Sequence, residues 1–351
     1  MTDSVHGKEK WRAAALAAVL AALLGHAALP GRAAPKPEPV KPAERKTEEA
    51  GGDKGERVVV QSREPGVWEL PSNYRNADGS FNQQAIVAQQ KMRLDEVNKR
   101  LMARMRLVET PHYLVFSDAD DAMTGLFVKW CEALYSNLCR HFSIGPKEKT
   151  WDGKCILVVF NSRPLFQQFA KTFDDNDASR AGAYFAWESR PPNEPQLVHI
   201  CILLDTRDPK RLQELFAHEG THAFFQLYRR VVDLPLWLHE GLAEFMTVVN
   251  DKRLAAKKQQ WSMHIARQGT PIRNILEVPS GQGFAYPAYS VSYTLVDFLL
   301  TADRSKFKEF IDLVKDGKPQ EEALQEAYGF GLVELERRWY VFVLEYLPQR
   351  R

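Results

Sequence analysis

Two histidines four residues apart, His218 and His222, stand in the stretch DPKRLQELFAHEGTHAFFQLY. Asp208 is a good N-cap there and Pro209 a good first helical residue, so the stretch reads as a helix. Positions four apart share a helix face, and both imidazoles can therefore offer a nitrogen to one metal ion. Glu219 follows the first histidine directly, where its carboxylate reaches a metal-activated water instead of the metal. A fold that uses this pair must bring another part of the chain against the helix to complete the coordination. The five-residue pattern alone arises by chance in about one in a hundred chains of this composition. Taken singly, His218 has a plainer reading, as a surface or core histidine with a hydrogen-bond partner, at about one in three.

A catalytic zinc site uses three protein ligands and leaves a fourth position open, whereas structural sites use four. The metzincin spacing would put histidine at position 228 and glycine at 225, but those residues are Tyr228 and Phe225. Downstream, Leu234 and Pro235 end the first helix, and PLWLHEGLAEFMTVV begins a second with an apolar stripe of Leu238, Leu242, Phe245, Met246 and Val249. Glu240 and Glu244 share the opposite face. Gly241 and Ala243 are small enough to let this helix close on the first. Glu240 is thus the natural third ligand. His239 competes with it, yet neighbours in a helix point about 100° apart and cannot both face one ion. A solvated face is the plain alternative for the two acids; their flanks, Trp237, Leu238, Leu242 and Phe245, weigh against it.

With both halves in view, the chain resembles the gluzincin metallopeptidases, in particular the peptidase-MA-like group that pairs HExxH with a later WLxEGLAE segment. The resemblance covers roughly residues 111–347, including the tail EALQEAYGFGLVELERRWYVFVLEYL. It implies one zinc ion on His218, His222 and Glu240, with Glu244 a turn later orienting a zinc histidine, His218. It also implies that Tyr289, heading the helix of FAYPAYSVSYTLVDFLL, holds the oxyanion, although Tyr286 and Tyr293 lie close enough to dispute that role and core packing is an equal alternative. The expected activity is peptide-bond hydrolysis with Glu219 as general base. Two other functions stay open: a binding or scaffold module that keeps the peptidase fold, and a zinc hydrolase of another amide or ester. The 17 residues between His222 and Glu240 (223–239) are one or two fewer than usual in the group, which implies a tighter interhelical loop. The implied fold is zincin-like α+β, a small mixed sheet packed on the active-site helix, followed by a mostly helical C-terminal lobe.

The remaining pattern agrees with α+β. Strands are expected at 112–117, 155–160, 182–187 and 199–204, and a helix at 123–142. Residues 182–187, GAYFAW, are the last candidate edge strand before the HEGTH helix, and a substrate strand could add to them. The domain proper is read as 111–349. Residues 61–110 form an N-terminal extension whose helical rhythm, in Ile86, Met92, Val97, Leu101, Met105 and Val108, runs from 82 to 108. Residues 35–60, rich in Pro, Lys, Glu and Gly, read as a flexible spacer. In 1–34, Lys8, Lys10 and Arg12 precede the apolar run from Ala13 to Leu24 and then small residues, the order of an export signal. An uncleaved anchor is the alternative and the one expected route to a membrane, though the run is short against the roughly 20 residues a span needs. Export permits disulfides. Cys131 and Cys139, about 12 Å apart on one helix, should not pair, while Cys155 and Cys201 could bridge or remain buried thiols. With 47 basic and 45 acidic side chains spread along the chain, no basic patch favours nucleic acid.

Overall fold

Apolar runs such as CILVVF have no polar alternation, and a strand of that kind needs cover on both of its faces. The computed structural model describes residues 58–60, 70–145, 148, 150–188, 190–191, 193–206, 208–279 and 284–350, all within the unit Lys54–Arg351. The segments read as export signal and, up to residue 57, as spacer lie outside the described residues. The sheet contains β1 (Val58–Val60), β2 (Arg106–Glu109), β3 (Tyr113–Ser117), β4 (Cys155–Phe160), β5 (Ala183–Glu188) and β6 (Val198–Leu203). Its order is β1-β5-β6-β4-β3-β2. The pairs β1/β5, β6/β4 and β4/β3 are parallel, and β5/β6 and β3/β2 antiparallel.

One face of the sheet is covered by α1 (Gln83–Arg100) and α3 (Arg163–Phe173). Leu94 and Val97 meet Phe166, Phe169 and Phe173 there over Leu114, Phe116, Ile156, Val158 and Tyr184. On the other face lie α2 (Asp121–His141) and α4 (Pro209–Leu227). Every residue of α4 from Leu215 to Leu227 is buried, which is unusual for a helix and follows from its position between the sheet, α2 and α5 (Leu236–Asn250). The C-terminal part is helical: α6 (Arg253–Arg267), α7 (Arg273–Leu276), α8 (Tyr286–Ala302), α9 (Arg304–Lys315), α10 (Gln320–Tyr328) and α11 (Leu332–Val341), continued by a π-helical turn at Phe342–Tyr346 and a 3₁₀ turn at Leu347–Arg350. The architecture is mixed α+β. No helix among the described residues is long and apolar enough to cross a membrane.

Three expectations need correction. The helical rhythm does not reach Val108: α1 stops at Arg100, the Asn98 side chain bonds both the N–H and the C=O of Met105 at 2.9 Å, and the chain turns into β2. Residues 182–187 are not an edge strand, because β1, at the end of the segment read as spacer, pairs in parallel with β5, Val58 opposite Ala186. Gly241 does not serve the approach of α5 to α4. A Cβ there would lie 2.5 Å from the Ser292 carbonyl oxygen and 2.7 Å from Val296 Cγ2, so this glycine lets α5 close on α8.

Gly220, inside HEGTH, faces Leu134 Cδ2 of α2 at 2.5 Å from such a Cβ, a side-chain tip that can give way. Gly241→Ala, against backbone, should therefore lower unfolding stability by about 1–3 kcal/mol and clearly more than Gly220→Ala does. Parallel urea titrations check this, and equal midpoints for the two variants would contradict the packing. All four cysteines are thiols. Val158 is the register partner of Cys201, so Cys155, three residues earlier, points to the opposite face and cannot bridge to it.

Candidate metal centre and active site

Asp208 caps α4 by accepting from the Lys210 N–H, and Pro209 begins it, which sets the phase of the helix so that His218 and His222 stack on one face. Their Nε2 atoms are 3.1 Å apart. Helix α5 starts at Leu236 after the Pro235 turn and brings Glu240 alongside: its Oε2 lies 3.6 Å from His218 Nε2 and 3.5 Å from His222 Nε2. Three lone-pair atoms thus converge from two helices. Glu240 Oε2 is buried and has no hydrogen-bond partner among the described residues. Zinc ligands at about 2.0–2.2 Å and tetrahedral angles sit roughly 3.3–3.6 Å from one another, so this donor set fits one zinc ion with a position left open.

Around the three donors the carboxylates are graded in burial. Glu219 is 1% and Glu244 2% exposed, whereas the Glu240 side chain keeps 15% exposure. Glu244 Oε1 approaches His218 Nδ1 at 3.8 Å, on the side of the ring away from the donor cluster. Its Oε2 is held by Lys258 of α6. The ammonium neutralises a carboxylate that burial would otherwise penalise, and the pair fixes the acid behind the histidine.

His239 is buried but turned elsewhere. Its ring packs on His222 with centroids 4.2 Å apart, and its Nε2 lies 3.4 Å from the His222 carbonyl oxygen. Phe185 of β5 stacks on the same His222 ring at 5.4 Å and 26°. The imidazole is therefore fixed by a sheet residue and a neighbouring histidine before any ion arrives.

Tyr289 lies in the first turn of α8 and is half-buried. Burial pushes its phenol pKa up, and the carboxylates of Glu240, Glu244 and Glu219 push it in the same direction, so the hydroxyl stays protonated and available as a donor. Tyr293, the rival one turn on, is buried and stacks on Phe245 at 6.4 Å, a core contact. Tyr286 begins α8. The residues singled out by sequence, His218, Glu219, His222, Glu240, Glu244 and Tyr289, thus meet where α4, α5 and α8 converge. Lys258 and Phe185 were not singled out. One is a lysine on an amphipathic helix and the other a strand phenylalanine, and neither residue type nor spacing marks its role.

No curated protein matches the chain. Residues 200–345 match a family model of the Peptidase MA superfamily, a stretch that runs from β6 through α4, α5 and α8 to the last turns and so contains every residue from His218 to Tyr289, which supports a zincin-like peptidase relationship for this part of the chain.

Proposed function

We propose that this protein is a zinc-dependent peptidase, with the metal on His218, His222 and Glu240 and with Glu219 as general base. The observation that carries the reading is the convergence of two Nε2 atoms and one unpartnered carboxylate oxygen within 3.1–3.6 Å, with a second, buried carboxylate on the same turn of α4. Zinc in such a site supplies Lewis acidity, acidifying water and polarising a carbonyl. Glu219 takes the proton of the attacking water and later hands it to the leaving amine, the two-way role a carboxylate in a dry site can perform. Tyr289, held protonated, donates a hydrogen bond to the oxyanion that forms. Glu244, backed by Lys258, keeps the His218 ring in place. The reading includes export, which rests on the order of basic, apolar and small residues in 1–34.

The substrate class is tested by offering the zinc-loaded full chain peptide, cell-wall amide and ester libraries side by side. Hydrolysis confined to peptides is expected. Turnover only of esters or non-peptide amides would move the assignment to another zinc hydrolase, and no turnover with zinc bound would favour a binding module.

A further inference from the structure

A second group of metal-ligating side chains lies on the other face of the sheet. His199 and Cys201 are two residues apart on β6, so the pleat aims both toward α3, while Ile200 between them faces α4 and lies near Gly220. Asp174 follows the last residue of α3 and points at them. One ligand atom each from Asp174, His199 and Cys201 falls within 4.8 Å of the others. All three residues are buried, at 3%, 7% and 0% exposure, among Phe169, Phe173 and Ala170.

We propose that Asp174, His199 and Cys201 form a second zinc site, with three protein ligands and the fourth position left to a water, that ties the end of α3 to β6. Asp174 Oδ2 already has the Tyr184 hydroxyl at 2.6 Å and His199 Nε2 at 2.9 Å, but its Oδ1 is buried with no hydrogen-bond partner among the described residues. A carboxylate placed in an aromatic core with one oxygen unsatisfied is costly, and a divalent cation removes that cost. The charges also close: one carboxylate and one thiolate balance a 2+ ion, with a neutral imidazole as third donor. Thiolate, imidazole and carboxylate together select zinc over calcium or magnesium, which favour all-oxygen shells. Tyr184, by donating to Asp174, is the outer partner that orients the carboxylate. The thiol proton leaves to solvent as the metal enters. Because the sheet separates these residues from His218 and His222, the site is independent of the proposed peptidase centre.

Metal content of the purified full chain after equilibration with zinc and removal of loose ion decides the matter. Two zinc ions per chain are expected in the wild type, one in His222→Ala and one in Cys201→Ser. Cobalt substitution gives a second readout, since only the new site carries sulfur: a thiolate-to-cobalt charge-transfer band in the near ultraviolet should appear in the wild type and persist in His222→Ala. Should Cys201→Ser not accumulate as folded protein, the band in His222→Ala still answers. One zinc in the wild type, lost completely in His222→Ala and without the band, overturns the second site and leaves the peptidase reading intact. One zinc that carries the band and survives His222→Ala upholds the second site and removes the first.

Discussion

Glu219→Gln is expected to keep zinc at His218, His222 and Glu240 and to lower turnover by about 10²–10⁴-fold. The substitution preserves shape in a position only 1% exposed, so the fold and the neighbouring ligands should survive. What it removes is the ability to accept a proton, and among the described residues no other carboxylate in this site is placed to replace it. Glu240 is committed to the donor cluster by its 3.5 and 3.6 Å approaches to the histidines, and Glu244 is held by Lys258. Steady-state kinetics on any cleaved peptide, with zinc content measured on the same sample, checks this. Undiminished turnover with zinc retained would remove Glu219 from the mechanism.

The second large effect separates two adjacent residues. Glu240→Ala takes away one of three donors and should weaken zinc binding at this site by more than the roughly 10–100-fold that loss of an outer partner costs. His239→Ala removes a ring that packs on His222 but offers no atom to the donor cluster, so its effect should stay within that smaller range. Competition with a chelator of known affinity measures both. Equal losses would reopen the choice of third ligand.

Much of this site was legible because two helical periodicities and their end signals are local. Asp208, Pro209, His218 and His222 declare the first helix and its donor face, and Pro235 followed by LHEGLAEF declares the second. Strand β4 was legible for the same reason: CILVVF is apolar throughout and bounded at both ends, and its limits match the expected 155–160. Most of the errors concern contacts distant in sequence. A strand at Val58–Val60 in a polar segment gives no local sign that it will cover β5, so residues 182–187 read as an edge. Gly241 announced a close approach but not its partner, which is α8. Lys258 became part of the site only when α6 packed beside α5 and left its ammonium beside Glu244. The end of α1 was hidden by a side-chain clamp from Asn98 to Met105, which apolar spacing does not record.

The central claim is that a water activated at His218, His222 and Glu240, with Glu219 taking its proton, cleaves peptide bonds. Digestion of a peptide library by the zinc-loaded full chain in ¹⁸O-enriched water, analysed by mass spectrometry, tests it most directly. New C-termini carrying one ¹⁸O are predicted for the wild type and should be nearly absent with Glu219→Gln; a wild-type protein that holds zinc at this site and yields no labelled product would contradict the account.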